Sequence, residues 1–289
     1  MAPRAASLIY VLLLLMVTAV WGWTFVLVKD ALTHYPTLPF LQLRFILAFL
    51  VMVALVRRLP TRREARVGVI AGVVLAAGYL TQTVGLTITS PGNSGLITGL
   101  FVVFTPLIDR IFGARLRWWT LVAVGAALTG TVMLVGGPSG FGLGDALTVV
   151  CAFLFALHIV LLSRWSPGLR SAPLAMLQMG TCAAIFSAGG SWSLEAPSPG
   201  IWLAIIVTGV FASALAFYIQ TWAQQHLSAS RTALILTTEP AWALVAAVVL
   251  AGQRFGLLQA AGAAVVLAAI VGHEVAHLKF KPHGHEAAA

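Results

Sequence analysis

Polar residues interrupt this chain at near-regular intervals, and between the interruptions the sequence is almost continuously apolar. A helix needs about 20 mainly apolar residues to cross the hydrocarbon core of a bilayer. Ten runs are of that order, near 8–28, 39–56, 67–88, 93–109, 118–136, 144–163, 173–191, 200–223, 229–251 and 256–276. Inside lipid every backbone N–H and C=O must be satisfied within its own segment, so the runs are expected to be helices. Turn-forming sequences divide them: Tyr35-Pro36, Leu59-Pro60, Ser90-Pro91-Gly92, Gly136-Gly137-Pro138, Ser166-Pro167-Gly168 and Ala196-Pro197-Ser198-Pro199. The slightest divider is Gly252-Gln253-Arg254. The first run contains Trp21-Gly22-Trp23 and has no small-x-small cleavage site before Lys29, so it reads as a retained helix rather than a signal peptide. The expected fold is all-α and integral to the membrane, with ten transmembrane helices.

Composition agrees with the pattern. Of 289 residues, 60% are hydrophobic and 9% charged, and the mean hydropathy is +0.98. A soluble domain carries roughly 25% charged residues, so this chain cannot build a water-exposed surface. The formal charge of +9 would suit nucleic acid if it formed one patch. It is instead spread between the apolar runs, where Lys and Arg mark the cytoplasmic side. With the N-terminus cytoplasmic, 14 of the 17 basic residues fall on that side: Arg4, Arg57, Arg58, Arg62, Arg63, Arg66, Arg110, Arg115, Arg117, Arg164, Arg170, Arg231, Lys279 and Lys281. Lys29 and Arg254 lie on the other side, and Arg44 lies within a run. A miscounted helix would invert every later loop, so both termini are expected in the cytoplasm.

The chain also repeats itself weakly. At an offset of 134, Val26-Leu27 meets Val160-Leu161 and Pro39 meets Pro173; at 138, Gln82-Thr83 meets Gln220-Thr221, Ser90 meets Ser228, and Leu96-Ile97 meets Leu234-Ile235. At 137, Arg117 meets Arg254 and Gly125-Ala126-Ala127 meets Gly262-Ala263-Ala264. The expected units are 1–138 and 139–278, with a cytoplasmic tail at 279–289. Five spans per repeat is an odd number, so the second copy enters the membrane from the opposite side. Such inverted repeats typify secondary transporters with a midplane substrate site. Trp21-Gly22, Pro39 with Arg44, Pro240 and the Arg254…Gly262 stretch make residues 8–276 resemble the drug/metabolite transporter superfamily, specifically its EamA-type exporters and the YddG-like amino-acid exporters. Members of these families often carry Gly-Glu near the ends of the fourth and ninth spans, where this chain has Gly113-Ala114 and Gly252-Gln253. The resemblance implies a ten-helix bundle in the bacterial inner membrane that exports small metabolites.

Ionisable and polar residues inside the spans are the candidates for chemistry, because burying them in lipid is costly. Glu239 lies about ten residues into its span, roughly 15 Å deep, next to Pro240, whose ring frees the carbonyl of Leu236. It either binds an amine or a proton, or pairs with a basic residue to fix packing. His158 is either a titrating group or a packing histidine. Arg44, five residues from Pro39, is expected to snorkel to the outer interface, and Gln178 matches it in the repeat. Tyr79, Thr81 and Gln82 in the third span and Tyr218 and Gln220 in the eighth occupy mirrored depths and are expected to line a cavity or meet other helices. Trp21 and Trp242 lie deep enough to wall that cavity, whereas Trp118 and Trp119 follow Arg117 as interfacial residues.

Other chemistry finds little support. Cys151 and Cys182 sit in no ligand spacing. His273 and His277 are four apart, but Glu274 is misplaced for a zinc-protease helix. There is no phosphate loop, dinucleotide fingerprint or nucleophile elbow, so no cofactor is expected. The expected partners are a small-molecule substrate and the bilayer. The leading class is a secondary exporter of aromatic or neutral amino acids and related metabolites, working by alternating access. A lipid-modifying intramembrane enzyme and a passive channel are the competing classes.

Overall fold

The apolar runs are helical in the computed structural model, which describes residues 3–89, 91–135, 142–189, 196–239, 241–242, 245–246, 249 and 256–279. In chain order the helices are α1 (Pro3–His34), α2 (Thr37–Leu55), α3 (Arg62–Ile88), α4 (Pro91–Thr98), α5 (Phe101–Ile111), α6 (Trp118–Val135), α7 (Leu143–Trp165), α8 (Ser171–Ala188), α9 (Pro199–Ile206), α10 (Ala216–Gln224), α11 (Ala229–Leu236) and α12 (Leu257–Lys279). A π-helical stretch, Val207–Leu215, joins α9 to α10. The described residues contain no strand. Six helical segments are long and apolar enough to cross a membrane: Leu8–His34, Thr37–Leu55, Arg62–Ile88, Leu143–Trp165, Ser171–Ala188 and Pro199–Gln224. Trp118–Gly130 and Leu257–His273 are shorter apolar helices.

The run expected at 93–109 is interrupted, and so is the described part of the run at 229–251. Gly99-Leu100 forms a turn between α4 and α5, and Thr237-Thr238 forms one between α11 and Glu239, where helical geometry resumes. At both places the backbone tightens to i→i−3 bonds: Leu100 N to Ile97 O at 3.0 Å and Val102 N to Gly99 O at 3.1 Å, then Thr238 N to Ile235 O at 3.2 Å and Ala241 N to Thr238 O at 3.0 Å. Such 3₁₀ pinches inside a helix often mark functional hinges. They stand 237 − 99 = 138 residues apart, the offset at which the two halves of the sequence match.

The ends of the bundle follow from local chemistry. Thr61 and Glu64 form a reciprocal capping box that starts α3. Left-handed Gly113 (φ 91°) ends α5, and the following Ala114 N–H returns to Asp109 O at 3.0 Å. The loops rich in arginine meet at this end. Arg170 donates through Nε to Glu64 Oε1 at 2.8 Å and through Nη2 to Glu64 Oε2 at 2.7 Å and to Leu59 O at 2.8 Å; Arg164 Nε pairs with Asp109 at 2.7 Å. At the far end, Lys29 Nζ donates to Leu86 O at 2.7 Å and Thr89 Oγ1 to Asp145 at 2.6 Å, tying α1, α3 and α7 together.

Helix–helix contact is set by small residues, as expected where lipid removes the hydrophobic drive for association. A Cβ on Gly68 or Gly72 of α3 would lie 2.6 Å from Leu177 Cβ or 2.7 Å from Thr181 Cβ of α8. Where α3 crosses α7, a Cβ on Gly85 would lie 2.8 Å from Gly144 O, and one on Gly144 2.9 Å from Gly85 O. Helix α6 packs on α12, with Gly130 facing Gly262 O. Large apolar side chains such as Leu50, Val53, Leu121, Val122, Leu203, Phe211, Leu267 and Val271 are exposed on the outside of the bundle, a surface suited to hydrocarbon rather than water.

Candidate functional site

Between the helices lies a cavity with about 730 Å³ of empty space, part of it continuous with the exterior. One stripe of α3 forms a wall: Leu75, Tyr79, Gln82, Thr83 and Leu86, at the spacing of a single helix face. Facing it are Trp21, Thr24 and Val28 of α1, Arg44 of α2, Phe101 of α5, Phe155, His158 and Ile159 of α7, Phe217 and Gln220 of α10, Leu236 of α11, and Glu239. The lining reaches toward the far end of the bundle through Val28 and Leu86. Toward the arginine-rich end it stops at Gln220. Beyond that, Gln220 Nε2 donates to Gln224 Oε1 at 3.0 Å, and Tyr10 stacks on His226 with ring centroids 4.4 Å apart.

The π-helical stretch shapes one side. Ala216 N–H reaches back five residues to Phe211 O instead of four to Ala212 O. The Ala212 carbonyl released in this way accepts the Trp21 indole N–H at 2.8 Å. Gly209 lets α2 approach here, since a Cβ on it would lie 3.0 Å from Arg44 O. Ser213, in the same stretch, accepts from Arg44 Nε at 2.8 Å. Arg44 Nη2 also donates to Tyr79 OH at 3.2 Å, and the guanidinium carbon lies 4.7 Å from the Tyr79 ring centroid. Arg44 is only 5% exposed, and no carboxylate among the described residues pairs with it. Tyr79 is itself held by edge-on contacts with Phe45, Phe155 and Phe217.

The remaining polar groups are bound in short relays. His158 Nε2 meets Gln178 Oε1 at 2.7 Å, and Gln178 Nε2 donates to Leu174 O and Thr221 Oγ1, each at 3.2 Å. Gln224 Nε2 donates to Ile159 O at 2.8 Å and to Ser163 Oγ at 2.9 Å. Gln82 Nε2 donates to Thr98 Oγ1 at 3.3 Å, tying α3 to the last residue before the first pinch. Glu239 stands at the second pinch, partly buried, with no hydrogen-bond or ion-pair partner among the described residues. Its neighbour Thr238 bonds Thr18 of α1 at 2.8 Å, one turn from Trp21.

Of the residues singled out from sequence, the structure brings Trp21, Tyr79, Gln82, His158, Gln220 and Glu239 to this cavity. Three others lie outside its wall. Gln178 is fully buried behind His158, as a hydrogen-bond partner to it. Tyr218 is turned about 100° from Phe217 on the same helix, so a face that presents Phe217 and Gln220 carries Tyr218 away. Trp242 is half-buried, one turn beyond Glu239. Arg44 does not snorkel outward as expected, because Ser213 and Tyr79 hold its head inside the bundle. Thr24, Phe101, Phe155 and Phe217 were not anticipated, yet the repeat contains the signal. Lining residues fall in pairs: Trp21 and Phe155 (155 − 21 = 134), Thr24 and His158 (158 − 24 = 134), Tyr79 and Phe217 (217 − 79 = 138), Gln82 and Gln220 (220 − 82 = 138), Phe101 and Glu239 (239 − 101 = 138). At the arginine-rich end of the bundle, His273 Nε2 bonds Thr120 Oγ1 at 3.2 Å, and no group of three potential metal ligands occurs among the described residues.

Comparison with known proteins adds four findings. The family model for the EamA-like transporter family matches twice, over residues 8–136 and 142–273. An uncharacterized transporter of Archaeoglobus fulgidus is 29% identical, over 89% of this chain and 83% of that protein. The uncharacterized inner membrane transporter YedA of Escherichia coli K12 is 24% identical, over 87% and 86%. A solved crystal structure shares the fold with a TM-score of 0.78 and 18% identity, covering 93% of this chain and 98% of that one.

Proposed function

The chain belongs to the EamA-like transporter family, and from that premise we propose that it exports neutral and aromatic amino acids and related zwitterions across the bacterial inner membrane by alternating access. The observation that carries the substrate class is the charge inventory of the cavity. A buried guanidinium without a carboxylate and a partly buried carboxyl without a cation line the same space. An uncompensated buried charge is costly, and a ligand bearing both opposite charges offsets both costs at once. Trp21, Tyr79, Phe101, Phe155 and Phe217 supply an aromatic wall for an apolar or aromatic side chain. A nucleotide or sugar phosphate would call for several cationic groups, and among the described residues Arg44 is the one Lys or Arg in the lining.

Alternating access follows from pseudo-symmetry. Two similar five-span halves, one entering the membrane from each side, can exchange conformations and turn an opening on one face into an opening on the other. The twice-matched family model, the pinches 138 residues apart and the paired lining support this architecture. The arginine-rich loops are placed in the cytoplasm on the positive-inside rule, so the cavity drawn in this state faces away from the cytoplasm. The test is efflux of radiolabelled amino acids from vesicles holding the purified protein, with and without a proton gradient. Saturable efflux of neutral and aromatic amino acids, inhibited by one another, is expected. Equal rates for a sugar phosphate would overturn the substrate class.

A further inference from the structure

Two relays in the cavity floor are anchored on backbone carbonyls, and that anchoring fixes the orientation of every amide in them. A carbonyl can only accept, so the group that Gln224 turns to Ile159 O must be its NH₂. Gln224 Oε1 then faces Gln220, and Gln220 must answer with its own NH₂. Gln220 Oε1 is thereby left pointing away from the relay, buried and without a donor in a side chain only 2% exposed. The same logic runs through the second relay. Gln178 commits its NH₂ to Leu174 O, presents Oε1 to His158, and so requires the proton of His158 to sit on Nε2. The neutral ring then carries a lone pair on Nδ1, which has no partner among the described residues.

The two acceptors belong to residues that line the same cavity. Gln224 connects Gln220 to the backbone at Ile159, the residue after His158, and both side chains flank Phe217, which lies edge-on to the histidine ring at 5.8 Å. Glu239 lines the same cavity with its carboxyl unpaired. Arg44 and the Tyr79 hydroxyl supply donors to the same cavity.

We infer that Gln220 Oε1, His158 Nδ1 and the Glu239 carboxylate form the binding site for a primary ammonium group, so that the transporter selects substrates by a free, unsubstituted amine. This rests on the zwitterion reading above and adds the recognition rule and the orientation, ammonium toward the arginine-rich end and carboxylate toward Arg44. An –NH₃⁺ has three N–H donors, one for each acceptor. A trimethylated amine keeps the charge and has no donor. It leaves the two neutral acceptors unpaired, and unpaired polar groups account for the strongest discrimination between otherwise similar ligands.

The test is calorimetric titration of the full-length protein in lipid nanodiscs with L-phenylalanine, L-tryptophan, L-leucine and L-threonine. It is followed by phenethylamine, 3-phenylpropanoate and the N,N,N-trimethyl derivative of L-phenylalanine. Phenethylamine should keep measurable affinity, whereas 3-phenylpropanoate and the trimethyl derivative should each bind at least a hundredfold more weakly than L-phenylalanine. In Gln220→Leu the affinity for L-phenylalanine should fall about tenfold, while the weak binding of 3-phenylpropanoate, which brings no ammonium, should be unchanged. Binding of the trimethyl derivative within threefold of L-phenylalanine would overturn the ammonium site while leaving the amino-acid reading intact. No saturable binding by any of the four amino acids would overturn both. The comparison of ligands on the unaltered protein stands even if a variant fails to fold.

Discussion

Replacing Arg44 by Gln removes the cation while keeping a polar side chain in the bundle. Arg44 has five N–H donors. One on Nε goes to Ser213 and one on Nη2 to Tyr79, which leaves three for a ligand. A hydrogen bond to a charged group contributes about 1.5–3 kcal/mol, and each 1.36 kcal/mol is a factor of ten. Loss of the guanidinium should therefore weaken L-phenylalanine binding by roughly 10- to 150-fold. Phenethylamine, which has no carboxylate, serves as the internal control and should change by less than about threefold. Calorimetry on both proteins with both ligands reads the contrast. Equal losses for the two ligands would mean that Arg44 acts only by holding Ser213 and the π-helical stretch. No loss for either would remove Arg44 from the site.

Three further outcomes are expected. Gly85→Val should lower stability by about 1–3 kcal/mol, because the added atoms meet the Gly144 backbone, which cannot yield as a flexible side chain can; thermal unfolding of the purified protein against Gly125→Ala, where the added Cβ meets nothing within 4 Å, checks this. Cysteines at Tyr79 and Gln82 should react with small water-soluble thiol reagents and be protected by substrate, whereas a cysteine at Gln178 should stay inert behind His158; equal reactivity at all three would contradict the cavity assignment. Reporter fusions after Arg66, Arg117, Arg170 and Lys279 should report cytoplasm and fusions after Pro91, Pro138 and Ser198 the exterior, and a cytoplasmic signal from Pro138 would break the odd-span repeat.

The helices were legible because lipid imposes a length and an apolar composition on each span, and the turn sequences mark their ends. The aromatic and amide stripe on α3 was legible for the same reason: Tyr79 and Gln82 share a face. What periodicity could not show is where a helix departs from 3.6 residues per turn. The π-helical stretch at Val207–Leu215 and the pinches at Gly99-Leu100 and Thr237-Thr238 have no distinct apolar pattern, since their side chains remain apolar or small on every side. Arg44 was misread because its distance from Pro39 measures depth along the helix axis and says nothing of direction around it. The partner that turns it inward, Ser213, is 169 residues away and reaches it only through the π-helical stretch. Gln178 mirrors Arg44 in sequence, each the eighth residue of its helix. The structure gives the mirrored positions different tasks, one in the wall and one behind it.

The account stands on the claim that this protein is a carrier with one site that opens alternately to either side. Counterflow tests it most directly: proteoliposomes loaded with millimolar unlabelled L-phenylalanine are diluted into buffer with a trace of radiolabelled L-phenylalanine, without any ion gradient. The account predicts a transient internal accumulation of label above the external concentration, lost when the lumen is empty of substrate or when Glu239 is replaced by Gln. Label that rises only to equilibrium, at a rate indifferent to the internal substrate, would identify a passive pore and contradict the account.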